Sequence, residues 1–279
     1  MTNNVRHIRF CVQLGFTLLV CAFLIVPVLL SMLAGVTENF FVGLSSGLTL
    51  RWVAQVWEMY QPTIWRSIFI ALACLAVTAV VGVPLAYMLA RYRGGRSRLA
   101  RAIEELLMMP VAVPGLATAL ALIMAYGQLR GFRSSVAFIL VGHVLFTLPF
   151  MVRPVLAVMQ SSQLAQLEEA AASLGAGMMR RFFGIVIPNV ASGILAGALM
   201  VVTLSIGEFN ITWMLHTPLT MTLPVGLADA YASMRLEIGS AYTLIFFFMI
   251  IPLLIGMQWA TQATRKRVRG CCKIKFRGC

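Results

Sequence analysis

One polar stretch between two apolar segments carries an ordered pattern: Glu169-Ala170-Ala171-Ala172-Ser173-Leu174-Gly175, then nine residues, then Ile185-Val186-Ile187-Pro188. Before Gly175, apolar residues recur at three- and four-residue spacing, which predicts a short amphipathic helix through Leu164, Leu167, Ala171 and Leu174. Ser162 is the expected N-cap of this helix, and Gly175 is its expected left-handed stop.

The residues after Gly175 predict a second short helix over 178–186, with Arg180 and Arg181 on its polar side. Pro188 is expected to break the chain before the next apolar run. Two short helices joined by a glycine would make a compact unit within the loop 160–188. The alternative is an amphipathic loop that lies on lipid headgroups, a role that the two arginines would also suit.

The composition excludes a soluble globular domain. Hydrophobic residues make up 60% of the chain, charged residues 11%, and the mean hydropathy is +0.90. Charged residues usually make up about a quarter of a soluble domain. The sequence therefore predicts an all-α, polytopic membrane protein that lies in the lipid bilayer.

Apolar segments predict six membrane-spanning helices, over 11–35, 67–90, 106–127, 135–152, from near 190 to beyond Glu208, and 239–260. They form a domain over 11–263, between an N-terminal segment 1–10 and a basic tail 264–279 that is expected to be disordered. The segments 36–66 and 217–238 are expected to be outer loops. Pro110 and Pro114 exclude a straight third helix, and their break serves either packing or the lining of a pathway.

The positive charges are distributed as topology signals. The chain has a net charge of +13, yet its arginines cluster at the ends of apolar runs, which argues against nucleic acid as a partner. With both termini in the cytoplasm, seventeen of the 22 Lys and Arg residues lie on the inner side, and the loop 160–188 is cytoplasmic as well. A multi-pass protein of the bacterial inner membrane is expected.

Lysines and cysteines limit the chemistry of the chain. All three lysines, Lys266, Lys273 and Lys275, lie in the tail, so no phosphate-binding loop with its lysine can lie upstream. Cys11, Cys21 and Cys74 lie in apolar runs and are expected to be small core residues. The spacing of Cys271, Cys272 and Cys279 fits neither a zinc site nor a disulfide framework, so no metal site is expected and the role of these cysteines stays open.

Glu208 is an acidic residue well inside an otherwise apolar segment, Ser205-Ile206-Gly207-Glu208-Phe209-Asn210. A charge at the centre of the bilayer costs roughly 2.5–3.5 kcal/mol on insertion scales, so the carboxylate needs a partner or water. It either faces a solvated cavity opened by Gly207, as a gate or a site for a cationic group, or it is a structural acid bonded to a neighbouring helix. His143 is expected to be a packed or hydrogen-bonded helix residue.

The loop resembles the EAA loop of permease subunits of binding-protein-dependent ABC importers. The family pattern is EAA, three residues, Gly, nine residues, Ile, any residue, Leu-Pro, and the sequence departs from it only at Ile187. The Gly-Glu-Phe segment also looks like one found in many of these permeases. The resemblance implies a type I fold, ATPase coupling through Glu169, Ala170, Ala171, Gly175, Ile185, Ile187 and Pro188, and a translocation pathway or gate at Gly207, Glu208 and Phe209.

The resemblance also implies partners and a function. Such a permease forms half of a pathway with a second permease subunit, identical or different, on two ATP-binding subunits that carry ATP and Mg, and it receives a small solute from an extracytoplasmic binding protein. This chain would then hold no cofactor and no catalytic residue. The segment 217–227 looks most like permeases for polyamines, aminoethylphosphonate and ferric iron, which favours a polyamine-type solute. The alternative is a secondary transporter or channel that uses Glu208 for ion coupling.

Overall fold

The computed structural model describes residues 2–93, 98–161 and 163–275. The chain forms two compact units, one made of Met1–Gln61 and Gly226–Phe248, the other of Pro62–Val225 and Met249–Cys279. Every regular element among the described residues is helical, apart from an isolated antiparallel bridge between Thr37 and Leu48. The predicted all-α class is therefore confirmed.

Five of the described helices are long and apolar enough to cross a membrane, and a bent helix pair raises this number to six if it counts as one span. The long helices are α1 (Thr2–Ala34), α2 (Arg51–Arg93), α6 (Val136–Ser161), α9 (Ile187–Gly207) and α12 (Leu236–Lys275). Most of the surface of α1 is apolar and exposed, as a helix facing lipid requires. These findings support the predicted polytopic membrane protein with six spans.

The third predicted span is the bent pair. Helix α3 (Arg98–Ala112) and helix α4 (Gly115–Tyr126) meet at an angle of 104°. Pro114 precedes α4 with an extended ψ of 137°, and its carbonyl accepts the amides of Ala117 and Thr118. The prediction that this segment is not a straight helix is confirmed, and a four-residue helix α5 (Arg130–Arg133) follows it.

Three boundaries differ from those predicted. Helix α2 begins at Arg51, so the expected loop 36–66 is helical in its second part, where half-buried Val53 and Tyr60 lie three and four residues from buried Val56. Helix α6 continues through Arg153 to Ser161, with Pro149 and Pro154 inside it. The expected outer loop 217–238 contains a 3-10 turn at Pro218–Thr220, helix α11 (Leu223–Ala232) and the start of α12.

The basic tail is helical where the structure describes it. Helix α12 runs on to Lys275, so the expectation of a disordered tail is wrong for 264–275. Arg, Lys, Gln and Ala are good helix formers, and the sequence has no proline between Pro252 and Lys275 to end the helix. Cys279 lies outside the described residues.

Helices α6 and α9 pack closely against each other within the second unit. A Cβ atom at Gly193 would lie 2.8 Å from the Pro154 carbonyl oxygen, and one at Gly197 would lie 2.8 Å from the sulfur of Met151. Glycines four residues apart let the two backbones approach closely, as is common between membrane helices. The core beside this contact includes Tyr87, Met151, Val155, Leu164, Val186 and Val190.

The predicted loop connects α6 to α9 through two short helices. Helix α7 spans Leu164–Ser173, helix α8 spans Met178–Arg181, and a π-helical turn over Phe182–Val186 leads directly into α9. Another short helix, α10 (Asn210–Leu215), follows α9. The fifth span was predicted to continue past Glu208, but α9 ends at Gly207.

Candidate functional site: a hinged loop and a broken span

Gly175 ends helix α7 in the left-handed conformation, with a φ of +79°. The amide of Ala176 donates to the carbonyl of Ala171 at 3.0 Å, and the amide of Gly175 donates to the carbonyl of Ala172 at 2.9 Å. These two bonds form the Schellman motif, which satisfies carbonyls that a helix end would otherwise leave unpaired. The predicted glycine stop is confirmed, while the expected N-cap, Ser162, lies outside the described residues.

The second half of the loop is continuous with the next span. Pro188 was expected to break the chain, but it lies in the first turn of α9, and the helical path runs through it from the preceding π-helical turn. In the preceding π-helical turn, backbone amides bond to carbonyls five residues back instead of four. The Asn189 side chain donates to the carbonyl of Ile185 at 2.7 Å. Ile185 and Ile187 are partly buried against the core of the second unit.

Apolar side chains cover the outer surface of the loop. We call the following exposed residues the loop patch: Leu167 (50% exposed), Leu174 (89%), Met178 (49%), Met179 (73%) and Phe183 (65%). Glu169 and Ala170 are also exposed, and Ala171 is half-buried. Exposed apolar surface of this kind is typical of sites that contact another protein or the membrane.

The apolar stripe predicted along α7 does not lie on one face. Leu164 packs into the core, whereas Leu167 and Leu174 point away from it. The residue that shares the buried face with Leu164 is Glu168, four positions later. Glu168 accepts a hydrogen bond from the Tyr87 hydroxyl at 2.6 Å, and sequence reasoning missed this residue because its partners lie far away along the chain.

Glu208 separates α9 from α10. Its backbone is extended, with a ψ of 114°, and its Oε1 atom accepts the amide of Ile211 at 2.6 Å. The carboxylate is half-buried and satisfies a free amide in the first turn of α10, which is the electrostatic position that an anion favours. The partner of this acid is therefore the first turn of α10, the helix that follows it in the chain.

His143 joins the two sides of this break. It is buried in α6, and its Nδ1 and Nε2 atoms lie 2.9 Å from the Ser205 hydroxyl and 2.7 Å from the Thr212 hydroxyl. Ser205 belongs to α9 and Thr212 to α10, so one imidazole holds both helices. The Thr212 hydroxyl also donates to the carbonyl of Glu208 at 3.2 Å. The prediction of a hydrogen-bonded helix histidine is confirmed.

Helix α10 is held at its other end by Arg133. The guanidinium donates to the carbonyl of Leu215 at 2.6 Å and to that of Met214 at 3.3 Å. These are terminal carbonyls, and a cation near them also opposes the negative end of the helix dipole. Helix α10 is thus fixed by a carboxylate at its start, an arginine at its end and a histidine at its side.

Gly207 and Phe209, the neighbours of Glu208, differ in their surroundings. Gly207 is exposed, and a Cβ atom there would meet nothing within 4 Å. Phe209 is half-buried, with its ring 5.3 Å from that of Trp213. The break therefore opens to free space on the side of Gly207 and is packed by aromatic rings on the side of Phe209.

Residues 82–270 match the family described as "Binding-protein-dependent transport system inner membrane component". The chain belongs to this family. It is an ABC importer permease of the type I fold and an integral inner membrane protein. The matched region contains both the loop between α6 and α9 and the interruption at Glu208 between α9 and α10.

Curated relatives are named for different solutes. The permease is 27% identical to the putrescine transport system permease protein PotI of Escherichia coli (strain K12) over 96% of this chain and 97% of that protein. It is 29% identical to the E. coli sulfate transport system permease protein CysW, over 74% and 75% of the two chains. The molybdenum transport system permease protein ModB of Mycobacterium tuberculosis is 25% identical over 70% and 76% of the two chains.

Proposed function

We propose that this permease forms half of an ATP-driven pathway for a small solute, and that an ATPase subunit docks on the loop patch. The observation that carries this proposal is the position of the patch: five exposed apolar side chains stand on a loop whose buried side is fixed to the core. In this arrangement Gly175 sets the angle between α7 and α8, and Glu169 and Ala170 lie on the docking side. Ile185, Ile187 and Pro188 connect the loop to α9.

The proposed mechanism requires the loop to act as a lever. Closure of two ATPase subunits on ATP and Mg would push the loop, and the spans connected to it would change the side to which the pathway opens. The distribution of Lys and Arg supports placing this loop and both termini in the cytoplasm. A second permease subunit, the same chain or a different one, would supply the other half of the pathway.

For the solute, we propose a polyamine-type cation delivered by an extracytoplasmic binding protein. The relative PotI transports putrescine by its name, and the half-buried Glu208 carboxylate next to the open side of Gly207 would suit a cationic group. We place the gate at Gly207, Glu208 and Phe209, where α9 is interrupted. The relatives named for sulfate and molybdenum make these anions the natural competitors in a test.

Purification of the tagged permease from its native membrane tests the partners. We expect an ATP-binding subunit and a second six-span subunit to remain bound in mild detergent, and mass spectrometry would identify both. Recovery of the permease alone in several detergents would contradict the docking proposal.

Uptake into cells that express the complete system tests the solute. We expect putrescine to accumulate, sulfate and molybdate not to accumulate, and the accumulation to stop when ATP is depleted. Uptake that survives ATP depletion but collapses with a protonophore would instead support the secondary transporter that uses Glu208 for ion coupling.

A further inference from the structure

Glu168 carries a charge on the buried face of α7. Its side chain is only 5% exposed, and its Oε1 atom accepts the Tyr87 hydroxyl at 2.6 Å and lies 3.3 Å from the Arg91 guanidinium. Burying a carboxylate without partners is strongly unfavourable, whereas bonds to a charged acceptor are among the stronger hydrogen bonds. The position of Glu168 therefore depends on these two partners.

Tyr87 and Arg91 form a preassembled site at the end of α2. They are four residues apart, which places them on the same helix face one turn apart, and α2 ends two residues beyond Arg91. The Arg91 guanidinium lies over the Tyr87 ring at 5.0 Å, so a cation–π contact also stabilises the relative position of the two side chains. We call this pair the α2 site.

The α2 site contacts the loop on both sides of Gly175. On the side of α7 the contact is Glu168, and on the side of α9 the Tyr87 ring meets the Phe182 ring edge-on at 5.2 Å. Phe182 begins the π-helical turn that follows α8. One tyrosine thus contacts both arms of the loop, although 81 residues separate it from Glu168.

We propose that Glu168 is a positioning residue that joins the loop to α2, so that α2 moves together with α7 when the loop is pushed. This inference rests on the proposed function, because it assigns the route by which movement of the loop reaches a span. Its neighbour Glu169 is exposed, so two adjacent carboxylates serve different surfaces, Glu169 the docking side and Glu168 the α2 site. The joint is made by side chains rather than by chain connectivity, since α7 and α2 are far apart in sequence.

Three substitutions separate the contributions to this joint. Tyr87→Phe removes the hydroxyl and keeps the ring against Phe182. Glu168→Gln keeps an oxygen that can accept from Tyr87 but removes the charge that attracts Arg91, and Glu168→Ala removes both contacts. Gln166→Ala is the matched control on α7, because Gln166 is exposed, and Tyr126→Phe controls for the loss of a tyrosine hydroxyl elsewhere.

The test measures the distance between α7 and α2 in the purified complex. Spin labels are attached to cysteines that replace the exposed residues Ala165 and Met88, in a chain whose native cysteines are serines. Distances are recorded without nucleotide and with MgATP and vanadate. We expect one narrow distance, the same in both states, for the wild-type sequence and both controls. With nucleotide, and to a smaller extent without it, we expect a broader or shifted distribution for Glu168→Ala, which loses both contacts, and smaller changes for Tyr87→Phe and Glu168→Gln, which each lose one.

A comparison of MgATP hydrolysis with solute uptake gives a second readout. A purely structural defect would not lower uptake while leaving the KM for MgATP unchanged. We expect the yield of the complex and the KM for MgATP to stay unchanged in Tyr87→Phe, while coupled uptake falls at least about fivefold, the lower range of allosteric coupling. A wild-type distance that changes with nucleotide, or variants that keep the wild-type distance in both states, would overturn the inference. If no ATPase co-purifies, the proposed function fails, and the nucleotide-free distances of wild type and variants still decide whether Glu168 fixes α7 to α2.

Discussion

The hinge at Gly175 and the break at Glu208 are both interruptions between a helix and a short following helix, but they are held differently. At Gly175 the chain turns in open space, and α7 is tied to the rest of the unit through Leu164 and the Glu168 carboxylate. At Glu208 the chain turns between packed helices, where His143, Thr212, Arg133 and the carboxylate itself all fix α10.

This difference separates the two regions by the motion that each allows. A segment with few attachments can move as a body when a partner pushes it, and it follows whatever its attachments hold. A segment held at both ends and at its side has a defined shape that changes only if several bonds change together. We therefore expect substitutions at the break to cost stability, and substitutions at the loop to cost coupling or assembly.

The largest expected effect is that of His143→Leu. The substitution removes the imidazole that bonds the buried hydroxyls of Ser205 and Thr212, although Thr212 keeps its bond to the Glu208 carbonyl. A buried group left without its partner costs about 1–3 kcal/mol, so we expect the free energy of unfolding to fall by about that amount, measured by thermal or denaturant unfolding in detergent. The matched control is His216→Leu, because the hydrogen bonds of His216 among the described residues go to carbonyls of its own helical turn, and the residue lies partly at the surface. An equal loss in both variants would show that His143 does not hold the break.

The second effect is that of Gly175→Val. A Cβ atom at Gly175 would meet nothing within 4 Å, so the cost arises from the left-handed backbone and is on the order of 1–2 kcal/mol. We expect normal membrane insertion, a changed angle between α7 and α8, and ATP hydrolysis without uptake. The control is Gly177→Val, since Gly177 is equally free of contacts but has an extended backbone with a φ of −64°. Normal uptake at normal expression in the Gly175 variant would refute the lever.

The third effect distinguishes two roles of Glu208. Glu208→Ala removes the acceptor for the Ile211 amide and should cost about 0.5–2 kcal/mol of stability, as the loss of a helix cap does. Glu208→Gln keeps an acceptor oxygen, and we expect its stability to stay near that of the wild type. We also expect Glu208→Gln to lose uptake of a cationic solute, because the charge is gone. Wild-type uptake with the glutamine would restrict Glu208 to holding α10.

The sequence was informative where the cause of a structure is local. Gly175 could be predicted because a glycine that follows an amphipathic helix is a common left-handed stop, and the bent third span followed from Pro110 and Pro114. The end of α9 at Gly207 was missed, because the apolar run continues beyond it. What stops the helix is the extended backbone of Glu208 and the bonds that α10 makes with His143 and Arg133.

Residues whose roles depend on distant partners could not be assigned in this way. A glutamate is usually exposed, so the sequence gives no sign that Glu168 is buried, and only the fold brings Tyr87 and Arg91 to it. The basic tail could not be assigned for a different reason: a sequence rich in Arg and Lys is compatible with both disorder and helix. In the structure, α12 continues through the tail to Lys275. The roles predicted for Glu169, Ile185 and Pro188 in ATPase coupling stay predictions.

The smallest expected effect on stability belongs to the loop patch. Leu174 is 89% exposed, so Leu174→Ser removes almost no buried surface and should change the free energy of unfolding by no more than about 0.5 kcal/mol. If the patch is where the ATPase docks, the same substitution removes apolar contact area from that interface, and we expect less ATPase to co-purify with the permease. Quantification of the bound ATPase after detergent extraction measures this effect.

Leu219→Ser provides the matched control for Leu174→Ser. Leu219 is 83% exposed and lies in the short turn after α10, away from the loop patch along the chain. Both substitutions therefore replace an exposed leucine with serine, and only the one at Leu174 should reduce ATPase binding. Equal retention of the ATPase by both variants would show that the ATPase does not dock at Leu174. The contact of Glu168 with the α2 site would then be a structural bond of the permease alone.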